Sequence, residues 1–508
     1  MPVRNAGIIT TLANALAYSQ AKFGPAAWPG NDTVETFSLT GHLQSVTDRN
    51  GRITTYTYSD AATPANIAPK AGLLLKVQDP FGQSLQFTYD SQGRMASLVD
   101  PAGNSTTYEY DSKSNLSKVT YPDGKSKSYV YNELALTANV ARTNALTGIV
   151  DENGNRYATF SYAADSKAAS TEHAGAVEKY ALTYPSYAET QVTDPLGAIY
   201  KYTYTERLGV LRSLSTRRPG AGGVGTVTAS FGYDANANLT LYTDYDGTMT
   251  SYTYDLARNL ETSRVEASGT GQARTITTEW HAAFRQPLRI AEPLRRTTFT
   301  YDAAANVLTK TVQATTDASG AAGFNATLVG TPRTWAFTYS PLGQILTSKG
   351  PRTDVSDITT YTYDEHGNLS TVTNAAGHVT TLSNYDAHGR VGRVTDPNGL
   401  VTDFSYTLRG WLSSTTTGNA TTSYTYDNAG QLTGVTMPGG VNLNYTYDPA
   451  HRLTAITDSS GNSVQYTLDN MGNRVSEQVK DSNGALLRQI ARAYDPLNRL
   501  KQITGAQQ

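Results

Sequence analysis

The sequence predicts an all-β fold: tandem repeats of about 21 residues whose short antiparallel strands form one continuous sheet, curved or spiral. Three observations carry the β-repeat prediction. A Tyr-Asp pair or its equivalent recurs at Asp364, Asp386, Thr407, Asp427, Asp448 and Asp469, at spacings of 22, 21, 20, 21 and 21 residues, and again at Asp90, Asp111 and Asn132. Self-similarity at a fixed period marks a repeat architecture, which grows by stacking units and not by enlarging one core. Turn signals punctuate every interval, and the composition is rich in Gly, Tyr, Thr, Asn and Asp, a balance that favours strands and turns over helices.

Each unit reads in the same order. A Thr/Tyr-rich strand ends in Tyr-x-Tyr-Asp, as in Tyr361-Thr362-Tyr363-Asp364. Tyr at i and i+2 share one face of a strand, so stacked units are expected to line up a ladder of rings joined by cross-strand aromatic pairs. The excess of Tyr over Phe, 34 to 11, suits rings packed on one side whose hydroxyl reaches water or a backbone group. A turn follows, with Gly three residues after the Asp at Gly93, Gly367, Gly389 and Gly430. Gly takes φ > 0 there without steric penalty, and the Asp side chain can bond the backbone two residues on. Asn or Arg and then an apolar residue open a second short strand, as at Leu369–Thr373. The second turn is often Asp-Pro-x-Gly, beginning at Asp79, Asp100, Asp194 and Asp396, where Pro pre-sets φ. Two strands and two turns leave no room for a helix.

The array is expected to span residues 35–505, between a weakly structured lead segment (1–34) and a short tail (506–508). Units are degenerate at about 133–230 and 260–360. Residues 60–72 read as an inserted loop, and 216–228 and 314–330 as Gly/Ala/Thr-rich loops or disordered tips. The first residues, MPVRNAGIITTLANALAYSQA, make a poor signal peptide: one basic residue and an apolar stretch broken by Thr10, Thr11 and Asn14. The last unit, Tyr494–Leu500, is followed by no cap, so the array is expected to be truncated or to be completed by another polypeptide.

The net charge of -2, with both signs interspersed, gives no electrostatic footprint for nucleic acid. No apolar run is long enough for a membrane helix. Without Cys, disulfides, thiolate nucleophiles and Cys-ligated metals are excluded.

These residues resemble the RHS/YD-repeat family. The matching motif runs from Tyr89-Asp90 through Gly93-Arg94 to Asp100-Pro101-Ala102-Gly103, with a second close copy from Tyr363 through Gly377. The resemblance implies repeats that wind a long antiparallel sheet into a hollow shell. In polymorphic toxins and insecticidal toxin complexes such shells enclose a toxic C-terminal domain, and in teneurin-like proteins a related shell belongs to an adhesion ectodomain. The chain departs from that pattern in two respects. It lacks the Gly-Gly and Asn-x-Tyr signature that ends such shells, and it shows no distinct toxin domain. The expected partner is a toxin domain or another shell-forming chain, and the expected location is the cell surface or the medium, after export from the cytoplasm.

Candidates for chemistry reduce to repeat features. His366 and His388 occupy one turn slot and His451 the next, while His42, His173, His281 and His378 show no paired ligand spacing. Gly220-Ala221-Gly222-Gly223-Val224-Gly225 leads into a strand, where a dinucleotide fingerprint needs a helix. Gly124-Lys125-Ser126 lacks the upstream Gly of a phosphate loop. Asp244–Gly247 and Asp151–Asn155 lack the Gly and Glu positions of a calcium loop. The Asp residues recur at turn slots, where a catalytic carboxylate pair would break the pattern, and G-x-S-x-G is absent. No catalytic, cofactor or metal residue is assigned. The expected function is a wall segment of a shell used to encapsulate and deliver a toxin or effector. The alternatives are adhesion through sugar rings stacking on exposed Tyr, or a truncated fragment without independent activity.

Overall fold

The computed structural model describes residues 33–220 and 225–507. The candidate signal peptide and nearly all of the expected lead segment lie outside them, as does the centre of the Gly220–Gly225 loop. Among the described residues there are forty strands in one sheet, from Val34–Phe37 to Leu500–Gln507. Each strand pairs antiparallel with the next in sequence, and the first and last do not pair with each other. The sheet is therefore an unclosed meander. Among the described residues no α-helix interrupts it, only short 3₁₀ turns at Leu134–Leu136, Ala174–Ala176 and Gly323–Asn325. The last strand runs into the stretch expected to be tail.

Both turns of each unit share one design. In the turn at Asp90, Oδ1 accepts the backbone N–H of Gln92 and of Arg94, and the N–H of Gly93 donates to the Asp90 carbonyl. Oδ2 accepts from Arg94 Nε at 2.7 Å. Asn does the same work at Asp111, where Asn115 Nδ2 lies 2.9 Å from Oδ2, which explains why Asn and Arg alternate in that slot. Burial works to raise the Asp90 pKa, but the backbone N–H and guanidinium of Arg94 and the N–H of Gln92 outweigh it and hold the carboxyl below its usual value. In Asp79-Pro80-Phe81-Gly82, Oδ1 likewise accepts from Phe81 and Gln83.

The register slips by one residue at the second Tyr of most long strands, as between Thr362 and Tyr363. This bulge explains the abundance of Tyr. Tyr363 is paired with Leu369 at the slip, and the carbonyl of Leu369 accepts the hydroxyl of Tyr385, from the next unit, at 2.6 Å. The same bolt joins Tyr89 to Leu74, Tyr110 to Met95, Tyr406 to Val391 and Tyr447 to Leu432, at 2.7–3.0 Å. Many hairpins are thereby pinned to the one before them. Burial raises the pKa of Tyr89 and Tyr301 to about 12.

In regular units the expected aromatic pairs are replaced. Tyr361 faces Val372 and Tyr108 faces Val119, because the Tyr-bearing strand there is flanked by Val/Leu-bearing strands, whereas Phe231 and Tyr242 do pair across strands, with ring centroids 5.2 Å apart. The rings share a face, as in the alternating pattern of Ile358–Tyr363, but their cross-strand partners are aliphatic. The opposite face carries hydroxyl pairs such as Thr362–Thr371 and Thr338–Thr347, both at 2.7 Å.

Two loop expectations change. Thr216–Pro219 and Thr226–Thr228 belong to the strands Val210–Pro219 and Thr226–Tyr233, so the loop there is confined to the Gly-rich centre. Residues 316–327 form a loop that folds back on neighbouring hairpins, with Thr275 N donating to Ser319 O and Leu294 N to Asp317 O.

The sheet stays a single layer. The surface is 28244 Å², against roughly 18,000 Å² for a compact globule of this mass. Among the described residues, buried large apolar side chains such as Phe87, Val119 and Leu260 are few. Strain is tolerated at exposed tips: Leu208 has φ +51° and Leu294 φ +59°, which costs a non-Gly residue about 1–2 kcal/mol.

Candidate functional site: the seam between two coils

Residues 250 to 300 positions apart meet where the curved sheet returns upon itself. The turns at the Asp-Pro-x-Gly end of early strands touch the turns at the Tyr-Asp end of late ones. Asn306 Nδ2 donates to Asn50 Oδ1 at 2.8 Å, and His388 Nε2 lies 2.9 Å from Asp100 Oδ2. His451 Nε2 lies 2.8 Å from Asp151 Oδ2, and Glu178 N donates to Asn470 O at 2.7 Å. The turn after Met95–Val99 meets the turn after Val379–Ser383, about 23 strands on, which at about 4.8 Å per strand is a circuit of roughly 110 Å. The sheet thus completes a full turn, and the rim of its second coil seats on the opposite rim of its first.

The centre of this seam is a buried charged cluster. Glu152, whose side chain is 2% exposed, is 2.9 Å from Arg409 Nη2 and 3.5 Å from Lys127 Nζ. The Arg409 guanidinium is held between the Tyr121 ring, 4.0 Å from its centroid, and the Trp411 ring at 4.4 Å. It also donates to the Asn428 carbonyl. Asn153 Nδ2 donates to Asp427 Oδ2 at 2.9 Å, and Asn428 N donates to Asn153 Oδ1 at 3.2 Å. Burial, and after it the Glu152 charge, pushes the Tyr121 hydroxyl well above its usual pKa. Beside the cluster, the Tyr157 ring stacks between His173 and His451 at 4.6 and 4.3 Å. A glycine contact adds specificity of shape: a Cβ on Gly367 would lie 2.5 Å from the Phe81 ring.

The arrangement is structural in its chemistry. Side-chain donors on the second coil's rim meet carboxylates on the first: Arg409 meets Glu152, and His388 and His451 meet Asp100 and Asp151, which are already anchored by their own turns. Among the described residues no three His, Asp or Glu side chains converge as metal ligands. A cleft of about 540 Å³ opens in the seam between Phe81, Gln86, Asp100, His366, Asn368 and Asp386. The sequence pointed to His366, His388, His451 and the Asp151 turn only as repeat slots. The structure brings them to one line, while Asp244–Gly247 remains an ordinary turn whose carboxylate accepts from Tyr242 at 2.9 Å. Arg409, Tyr121 and Trp411 were not singled out by the sequence. The Tyr rings that prompted the sugar-stacking alternative are mostly half-buried, and among the described tyrosines only Tyr180 and Tyr187 are exposed.

Comparison with known proteins agrees with this geometry. The teneurin YD-shell family matches residues 298–507, and the RHS repeat matches 37–63, 70–105, 96–126 and 228–270. The chain is an RHS/YD-shell repeat protein. Among solved structures, this YD-shell chain is similar to the crystal structure of TcdB2-TccC3 without its hypervariable C-terminal region. There the identity is 16% and the TM-score 0.62, over 92% of this chain and 26% of that one. A second, TcdB2-TccC3-Cdc42, is 13% identical with a TM-score of 0.48, over 92% and 27%. The likeness is one of fold, and the YD-shell chain spans about a quarter of the length of the solved chains it matches. No curated protein matches it by sequence. No helix among its described residues is long and apolar enough to cross a membrane.

Proposed function

We propose that this chain is a wall segment of an RHS-type β-shell that encloses a toxin or effector for delivery outside the producing cell. The observation that carries the reading is the seam: a single-layer sheet winds through a full turn and seals onto its own rim through buried ion pairs. A wall needs continuity and closure, and the repeat supplies the first and the seam the second. Repeating one turn geometry while varying the tip residues is what a scaffold requires, and this supports a structural role. Its partners are then a toxin domain or a further shell-forming chain. Small-angle scattering on the purified chain tests the reading. A pair-distance distribution with a low-density centre, matching a coiled sheet, is expected. An extended, uncoiled ribbon in solution overturns it.

A further inference from the structure

The seam joins two unlike rims: the Asp-Pro-x-Gly rim of the first coil and the Tyr-Asp rim of the second. One rim of each kind is left over, and neither makes a contact between coils among the described residues. The left-over Tyr-Asp rim, with turns from Ser38 to Arg258, carries large apolar side chains at several tips. Leu39 is 109% exposed, Tyr187 71%, Leu208 75% and Leu256 58%. The left-over Asp-Pro-x-Gly rim carries an exposed Leu294 in its earlier part, but from Asn374 to Gly484 its outermost residues are smaller. These are Ala375-Ala376, Pro397-Asn398, Gly418-Asn419, Pro438-Gly439, Ser459-Ser460 and Ser482-Asn483, with Leu400, Met437 and Val441 exposed beside them at the bases of the turns.

Two further features mark the apolar rim. The strands Ile199–Arg207 and Val210–Pro219 are 9 and 10 residues long, against five or six in a regular unit such as Leu369–Thr373, so their hairpin is lengthened. Its tip places Leu208 at φ +51°, a position that favours Asn, Asp or Gly. Leu208 is three-quarters exposed there, so its own chain buries little of it. Backbone strain kept at an exposed apolar tip is a mark of a contact surface. Val210 and Leu211 beside it are also exposed, and Tyr187 on the adjacent hairpin reaches Glu206 Oε2 at 3.4 Å. The tips form one projecting patch.

We propose that the two left-over rims bind each other between copies of this chain, so that the second coil of one molecule seats on the first coil of the next. The argument is continuity with the seam, where the same two kinds of rim already meet and where large against small is already used, Phe81 on Gly367. The inference rests on the wall reading, since it takes the coil as the stacking unit. Such a contact is heterologous: each copy offers a different face, and copies add head to tail.

The test is sedimentation of the purified chain over a range of concentrations, with two rim variants. Wild type is expected to form dimers and longer species. Tyr187→Ser with Leu208→Asn, which also relieves the turn, is expected to weaken association about thirtyfold. Ser459→Arg with Ser482→Arg, on the opposite rim, is expected to do the same. Mixing the two variants is decisive, because each retains the rim the other lacks. A one-to-one complex that grows no further is expected. A wild type that stays monomeric at every concentration overturns the proposal, as does association that both variants leave unchanged, or a mixture that forms no complex. The wall reading fails separately, on a scattering profile without a coiled sheet.

Discussion

Replacing Arg409 with Ala opens the seam from its centre. The change removes the 2.9 Å partner of Glu152 and leaves that carboxylate, 2% exposed, with Lys127 at 3.5 Å as its nearest cation. Removing one partner of a buried pair costs about 3–5 kcal/mol, and Lys127 places the expected loss at the lower end, about 3 kcal/mol. The guanidinium also leaves the Tyr121 and Trp411 rings, whose hold on a desolvated cation is worth about 2 kcal/mol. Part of that is already counted in the ion pair, so about 3–4 kcal/mol is the working figure. Unfolding of a long repeat array is not two-state, so the suitable assay is native-state hydrogen exchange resolved by peptide. A loss of 3 kcal/mol raises the local opening constant roughly hundredfold. The effect is expected at residues 150–156 and 425–430, whereas the remote turn at His281–Gln286 keeps its protection. Arg409→Met paired with Glu152→Gln recovers part of the loss, because neither residue then strands a charge. Equal loss along the whole chain, or less than about a threefold change at residues 150–156, refutes the idea that the seam is a separate element held by this pair.

Tyr385→Phe deletes the bolt to the Leu369 carbonyl at 2.6 Å and is expected to cost about 1 kcal/mol, read as lost exchange protection at Leu369 and its neighbours. Gly367→Ala and Gly377→Ala both force Ala into φ near +80°, at 76° and 83°, for about 1–2 kcal/mol each. Gly377 has open space around it while Gly367 meets the Phe81 ring, so the Gly367 change is expected to cost more and to loosen the turn at Asp79–Gly82. At high pH, burial keeps Tyr89 and Tyr301 protonated to about 12 while the unfolded chain ionises near 10. Their contribution is whole below pH 10 and is lost as pH rises towards 12, so absorbance titration at alkaline pH is expected to show late ionisation that coincides with loss of β-structure. At low pH the sign reverses: Asp90 and Asp386 are held below their usual values. What they contribute is present above about pH 4 and is lost as pH falls through their lowered values, which circular dichroism is expected to show as an acid transition centred below that pH.

Strands and turns were legible because each is local. Asp90, Gly93 and Arg94 build a turn from their own neighbours, and the same letters build the turn at Asp386. The bolts were half legible: the excess of Tyr predicted a polar use for the hydroxyl, but the bulge that presents the Leu369 carbonyl follows from pairing register. Tyr361 was expected beside another ring and faces Val372, because a unit contributes two unlike strands to the sheet. The seam was not legible. His388 and Asp100 each look like ordinary turn residues, and only the number of strands in a circuit decides that they meet. That number depends on sheet curvature, which no single unit records. Residues 216–228 were misread for a related reason: Gly and Pro content outweighed the strand pattern of Leu214–Arg218, whose partners lie across the Gly220–Gly225 loop.

Pairing every strand with its sequence neighbour has a consequence for how the molecule is made. All the sheet contacts are of short sequence separation, which favours rapid ordering, and each new hairpin needs only the one before it as a template. Such a chain is suited to ordering progressively as it leaves the ribosome, N-terminal units first. The seam is the exception, since Asp100 has to wait for His388 and Asp151 for His451. It therefore forms late, and contacts that form late govern the rate of unfolding more than the rate of folding. Weakening the Arg409 cluster is thus expected to shorten the lifetime of the coiled state while leaving the speed of its synthesis-coupled growth almost unchanged.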